Sequence, residues 1–130
     1  MRATDVIDWR KYPNFSESEM KCKHTGLCYM SADFMDALQQ IRLAYGKPMV
    51  VTSGYRSPLH PEEAKKERPG EHTFGRAVDV AVRGGDAVEL LQIALAHGIT
   101  RVGVNQKGKS RFLHLGMGAP GLPAPMIWSY

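Results

Sequence analysis

Arg76-Ala77-Val78-Asp79-Val80-Ala81-Val82 alternates without a break, with Val78, Val80 and Val82 on one side and Ala77, Asp79 and Ala81 on the other. A period of two belongs to a strand with one buried face, so this stretch predicts the strand around which the rest is arranged. Downstream, Asp86 and Glu89 open a helix whose apolar positions include Val88, Leu91 and Leu95 and which Gly98 ends. Two short strands are expected near 101–104 and 111–115. So few residues separate Val104 from Arg111 that only a hairpin fits between them, which makes this part of the sheet antiparallel.

Upstream, Met49-Val50-Val51-Thr52 reads as a short buried strand running into the turn-forming loop Ser53-Gly54-Tyr55-Arg56-Ser57-Pro58. Pro61 begins a brief charged helix that gives way to Glu67-Arg68-Pro69-Gly70. Ser31 caps a longer helix to Tyr45, with Phe34, Leu38, Ile41 and Tyr45 on one face; Gly46 ends it and Pro48 prevents its continuing. Phe15-Ser16-Glu17-Ser18-Glu19-Met20 is a complete helix start: Ser16 caps, Glu19 reaches back, and Phe15 staples onto Met20. Residues 1–14 read as an irregular arm and 116–130 as a Gly/Pro-rich tail. The expected class is α+β, a small, largely antiparallel sheet packed with helices, in a single domain over 1–130.

With 130 residues, 43% apolar and 23% charged, the chain is long enough to bury a core and is neither disordered nor fibrous. Seventeen Lys and Arg against thirteen Asp and Glu leave a net charge of +4. That suits an anionic partner, but no basic stripe is present. Lys65-Lys66-Glu67-Arg68 follows Glu62-Glu63 and reads as the end of a charged helix, so no nucleic-acid partner is expected. No apolar run approaches the roughly 18 residues of a membrane span. Met1-Arg2-Ala3-Thr4-Asp5 lacks the apolar stretch of a secretory signal, which predicts a soluble, monomeric product that does not enter the export pathway by itself. Cys22 and Cys28 exclude a disulfide-dense scaffold and leave a single small-loop bridge, two reduced thiols, or a zinc knuckle with His24 as the alternatives.

Three residues draw the chemistry. Asp79 lies in a valine-rich strand beside two alanines, where an unpaired carboxylate costs several kcal/mol and so demands a cation or donors. His72 precedes it in a loop, and His114 lies on another short strand. Two imidazoles and a carboxylate are what an open catalytic zinc site uses. Each residue also has an ordinary reading: Asp79 as an edge residue or an arginine's partner, the histidines as satisfied core or surface groups. No His-Glu-x-x-His helix is present.

His72-Thr73-Phe74-Gly75-Arg76-Ala77-Val78-Asp79, preceded by Ser53-Gly54-Tyr55-Arg56-Ser57-Pro58 and followed by Phe112-Leu113-His114, resembles the zinc D-alanyl-D-alanine peptidase family, whose fold is shared with Hedgehog signalling domains. Phe15-Ser16-x-x-Glu19 with Cys22, and the closing Trp128, are similar to its small phage-associated members. The resemblance implies a Hedgehog/DD-peptidase-like fold and one Zn2+ held by His72, Asp79 and His114. It also implies that Arg56 faces a peptide carboxylate, as its planar guanidinium is suited to do. The implied activity is hydrolysis of a stem-peptide or cross-bridge bond in bacterial peptidoglycan by a phage endolysin, held in the host cytoplasm until release, or by a virion-associated enzyme.

One departure stands out. Many members carry a catalytic acid three positions before the second histidine, where this chain has Arg111; others carry an aspartate two positions after it, where this chain has Gly116. Glu71 adjoins His72, but consecutive side chains usually diverge, so it is expected to be a weak substitute. The base is therefore unassigned, and the alternative function is a zinc-stabilised binding module that has lost hydrolysis.

Overall fold

The computed structural model describes residues 5–66 and 70–130. The expected turn at Glu67-Arg68-Pro69, the end of the Lys65–Arg68 charge run and the first four residues of the N-terminal arm lie outside the described residues. Within them, four helices and a five-stranded sheet form a mixed α+β structure.

The helices begin and end where their local chemistry dictates. Helix α1 (Glu17–Met20) carries the full capping box, with Ser16 Oγ accepting from the Glu19 amide and the Glu19 side chain accepting from the Ser16 amide. Helix α2 (Ala32–Tyr45) is capped by Ser31 and stopped by Gly46 in the left-handed conformation. Helix α3 (Pro61–Ala64) is one turn, and α4 (Gly84–Ala96) is the second long helix. The described part of the N-terminal arm includes a 3-10 turn, Trp9–Lys11, and is tied down by the Tyr12 hydroxyl donating to Asp36 at 2.5 Å.

The strands are β1 (Val50–Ser53), β2 (Ala77–Ala81), β3 (Arg101–Asn105), β4 (Phe112–Gly116) and β5 (Met126–Ser129), in the order β1-β2-β4-β3-β5. All pairings are antiparallel except β3 with β5. The β3–β4 hairpin is the one expected from the short spacing. The stretch from Gly116, read in sequence only as a Gly/Pro-rich tail, supplies the fifth strand.

One sheet face is dry. Val78 and Val80 of β2, Val102 of β3 and Leu113 and Leu115 of β4 form one core with Phe34, Leu38 and Ile41 of α2 and Leu90 and Ala94 of α4. Burying each of the larger side chains stabilises the fold by about 1.5–3 kcal/mol.

The structure corrects one sequence expectation and settles which side of α4 is buried. The β1 stretch is an edge strand and not a buried one: Val50 is 59% exposed, because only β2 pairs with it. In α4 the core face is Ala87, Leu90 and Ala94, while Val88 and Leu95 are more than half exposed. Leu91 and Leu95 instead line a shallow apolar groove with Ile99, Val102, Met126 and Ile127, beside a strand that the sequence reading did not foresee.

Candidate metal centre

On the opposite sheet face, strand register lays out the site. Asp79 pairs directly with His114, His114 with Gly103, and Gly103 with Trp128, so one row runs across four strands. Directly opposed residues point to the same face. The alternation that sends Val78 and Val80 into the core therefore sends Asp79 out to meet His114.

His72 comes from outside the sheet. Residues 70–75 form a tight turn in which the amides of Thr73, Phe74 and Gly75 donate to the carbonyls of Gly70, Glu71 and His72, each at 3.1 Å. Gly75 closes the turn with φ +68, and its carbonyl accepts from the Ser31 amide at 2.9 Å. The turn is laced to the Ser53–Pro58 loop: the Arg56 amide donates to the His72 carbonyl at 3.2 Å, and Thr73 Oγ1 donates to the Arg56 carbonyl at 2.8 Å.

The structure thus brings His72, Asp79 and His114 together, with one ligand atom of each lying within 4.8 Å of the others. Asp79 Oδ1 is 3.5 Å from His72 Nε2 and 3.1 Å from His114 Nδ1. Ligands at the usual zinc distances of about 2.0–2.1 Å in a tetrahedron stand about 3.3–3.4 Å apart, so the two separations from Asp79 fit such an ion. Hydrogen bonding also orients the rings. His72 Nδ1 faces the Gly54 carbonyl at 2.8 Å, which places its proton there and leaves the Nε2 lone pair free. His114 lies between two carboxylates, with Nε2 facing Glu71 and Nδ1 facing Asp79; once Nε2 carries the proton toward Glu71, Nδ1 has a lone pair for a cation. Both histidines are buried and Asp79 is half-buried.

Electrostatics follow the same contacts. Burial pushes the Asp79 carboxyl up, but the His114 and His72 rings outweigh it and hold the group well below the ordinary carboxylate range. Burial pushes His114 down, and the Asp79 and Glu71 carboxylates overcome it and raise the imidazole. The cluster therefore keeps its carboxylates ionised, as a cation site requires.

Arg56 sits on the rim. Nη2 is 3.8 Å from Asp79 Oδ2 and donates to Ser53 Oγ at 3.1 Å, while Nη1 donates to Glu63 at 3.3 Å. The sequence reading saw Glu63 only as part of a charged helix; it is in fact buried, accepting also from Lys66 at 2.8 Å, the Gly70 amide at 3.1 Å and Thr73 at 3.0 Å. Burial pushes its carboxyl up, but Lys66 and these donors bring it down to about 2.

Of the two positions where an acid was sought, Arg111 turns back on its own hairpin, its Nε donating to the Gly108 carbonyl at 3.0 Å. Glu71 was expected to diverge from the site and does not. It is buried and bonded to His114, because the tight turn lets neighbours 71 and 72 straddle that ring. Arg101 and Trp128 complete the surroundings: Arg101 lies 5.0 Å from the Trp128 ring, and Trp128 lies 5.0 Å from His114. The sequence signal that could have revealed Glu71 was an acid next to a candidate ligand in a chain with glycine at 116.

Cys22 and Cys28 are both free, and among the described residues no cluster of potential metal ligands includes them. No helix of the described residues is long and apolar enough to cross a membrane.

A family model described as Peptidase M15 matches residues 13–116, which span α1 to the end of β4 and hold all three clustered residues. No curated protein matches the chain.

Proposed function

The chain belongs to the peptidase M15 family, a family of metallopeptidases, and from that premise we propose that it is a zinc peptidase cutting a stem-peptide or cross-bridge bond in bacterial peptidoglycan. The observation that carries this reading is the His72–Asp79–His114 cluster, with one ligand atom from each residue converging and His72 Nε2 left free by the bond its Nδ1 makes to Gly54. On this reading the three residues hold one zinc ion. When bound there, zinc supplies a Lewis acid for the scissile carbonyl and lowers the pKa of a water molecule.

The chain's own residues do the rest. Arg56 stands beside Asp79 with its side chain 18% exposed, placed to take a substrate carboxylate in its guanidinium fork. Glu63 and Ser53 hold that guanidinium in place before substrate arrives. The likeness to small phage-associated members extends the proposal to a phage-encoded wall hydrolase, and a net charge of +4 favours approach to an anionic wall.

Digestion of purified cell walls by the zinc-loaded protein, with mass analysis of what is released, tests the reading. The expected result is a new amine and a defined peptide fragment, both abolished by chelation. Those masses assign the bond as D-Ala-D-Ala, L-Ala-D-Glu or cross-bridge. Stoichiometric zinc and wall binding with no product from any wall chemotype would overturn the enzymatic reading in favour of a binding module.

A further inference from the structure

Resting on the assignment of His114 as a zinc ligand, we propose that Glu71 is the positioning residue that orients His114, doing from the 70–75 turn what an acid at position 116 would otherwise do. Two independent observations carry it. The first is contact. The Glu71 carboxylate meets His114 Nε2, the ring nitrogen that faces away from Asp79, so it accepts the proton there and leaves Nδ1 as the donor to the metal.

The second is space. Gly116 is the neighbour of His114 on the same face of β4, separated from it only by Leu115, and a Cβ built on it would overlap the Glu71 carboxylate. An aspartate at 116 would carry its carboxylate one bond from that Cβ, in the volume Glu71 now fills. An acid at 116 and the buried acid at 71 would therefore compete for one volume beside His114, and in this chain Glu71 fills it.

The surroundings are built for a fixed anion. Glu71 also accepts from Arg101 Nε at 3.0 Å and from the Gly118 amide at 3.0 Å. Arg101 is itself held from the far side by the Pro123 carbonyl at 2.5 Å and by the Trp128 ring. Each carboxylate oxygen is anchored, so the group has little freedom to leave the imidazole. Glu71 lies on the side of His114 away from Asp79, and this makes it an orienting group and not the proton acceptor of the reaction.

Zinc affinity, measured by competition with a chromophoric chelator, separates this role from a structural one. Glu71→Gln keeps size and should lose about 10–100-fold in affinity, the scale seen when a partner of a ligating histidine is removed. Gly116→Asp alone places two carboxylates in one volume and should also bind weakly. The double variant Glu71→Ala/Gly116→Asp returns a single carboxylate to that volume and should recover most of the affinity lost by Glu71→Ala. Circular dichroism of the zinc-free proteins identifies any variant that fails to fold, and Glu71→Gln then stands in for Glu71→Ala. Wild-type affinity in Glu71→Gln, or a double variant no tighter than Glu71→Ala, would overturn the proposal while leaving the zinc site intact. No zinc binding by the unaltered chain would overturn both.

Discussion

Replacing Gly75 with alanine should be among the costliest single-methyl changes in this protein, and the cost can be assembled from its surroundings. Gly75 adopts φ +68, a conformation that costs a residue with a Cβ about 1–2 kcal/mol. A new Cβ would overlap the Tyr29 carbonyl and stand 2.7 Å from Met30 Cα and 2.8 Å from the Ser31 amide nitrogen. All of these are backbone atoms, so no side chain can swing aside. Forcing them apart adds about 1–3 kcal/mol of overpacking and endangers the Ser31-to-Gly75 hydrogen bond at 2.9 Å, worth about 0.5–1.5 kcal/mol. The stiffer alanine returns about 0.4–1 kcal/mol through the unfolded chain, for a net loss of about 1.5–6 kcal/mol.

Gly46→Ala is the control. Gly46 has nearly the same φ, +72, but nothing lies within 4 Å of its added Cβ, so only the conformational part remains, about 1 kcal/mol. Urea unfolding followed by tryptophan fluorescence, with chelator present so that metal linkage does not enter, measures both. If Gly75→Ala is less than about 1 kcal/mol worse than Gly46→Ala, the close approach of the turn to the start of α2 is wrong. The placement of His72 would then fall with it.

Other outcomes follow from the same contacts. Alanine at His72, Asp79 or His114 should remove most bound zinc, and a variant that kept full zinc by elemental analysis would strike that residue from the site. Chelation should lower the melting temperature of the unaltered protein, because free zinc at 100 times its Kd stabilises the folded state by about 2.7 kcal/mol; an unchanged Tm would argue against a bound metal. Arg56→Lys should cost about 1.5–3 kcal/mol in kcat/KM at constant zinc content, and the loss should vanish on a substrate whose carboxylate is amidated. Since Arg56 also bonds Glu63 and Ser53, a stability loss of about 1 kcal/mol should accompany it; an equal kcat/KM loss on both substrates would refute the carboxylate role. Glu63, held at about 2 when folded, contributes stability fully present above its ordinary 4.5 and lost as pH falls toward 2. The stability gap between wild type and Glu63→Gln should therefore be flat above about pH 5.5 and narrow below it; a gap independent of pH would refute the buried ion pair.

Some of this was legible before any coordinate. The capping box at Ser16, the Ser31 cap, the Gly46 stop and the alternation through Asp79 are each written in a handful of adjacent residues. Each acts through backbone groups close in sequence, and the structure keeps them all. The likeness around His72, Asp79, His114 and Arg56 picked out residues that the structure brings to one place.

What escaped the sequence depended on partners far along the chain. A run of apolar residues does not say which strand will lie beside it, so β1 read as buried and proved to be an edge. Helical spacing in α4 admits more than one apolar stripe, and Ala87, Leu90 and Ala94 are buried because that side meets the core shared with α2 and the sheet. Glu71 beside His72 is visible to any reader, but its reach to His114, 43 positions away, depends on a turn closed by Gly75 and on the open volume above Gly116. Local backbone preference is a property of neighbours in the chain and can be read from them. Whether a carboxylate meets an imidazole is a property of two surfaces, and only their packing against one another decided it.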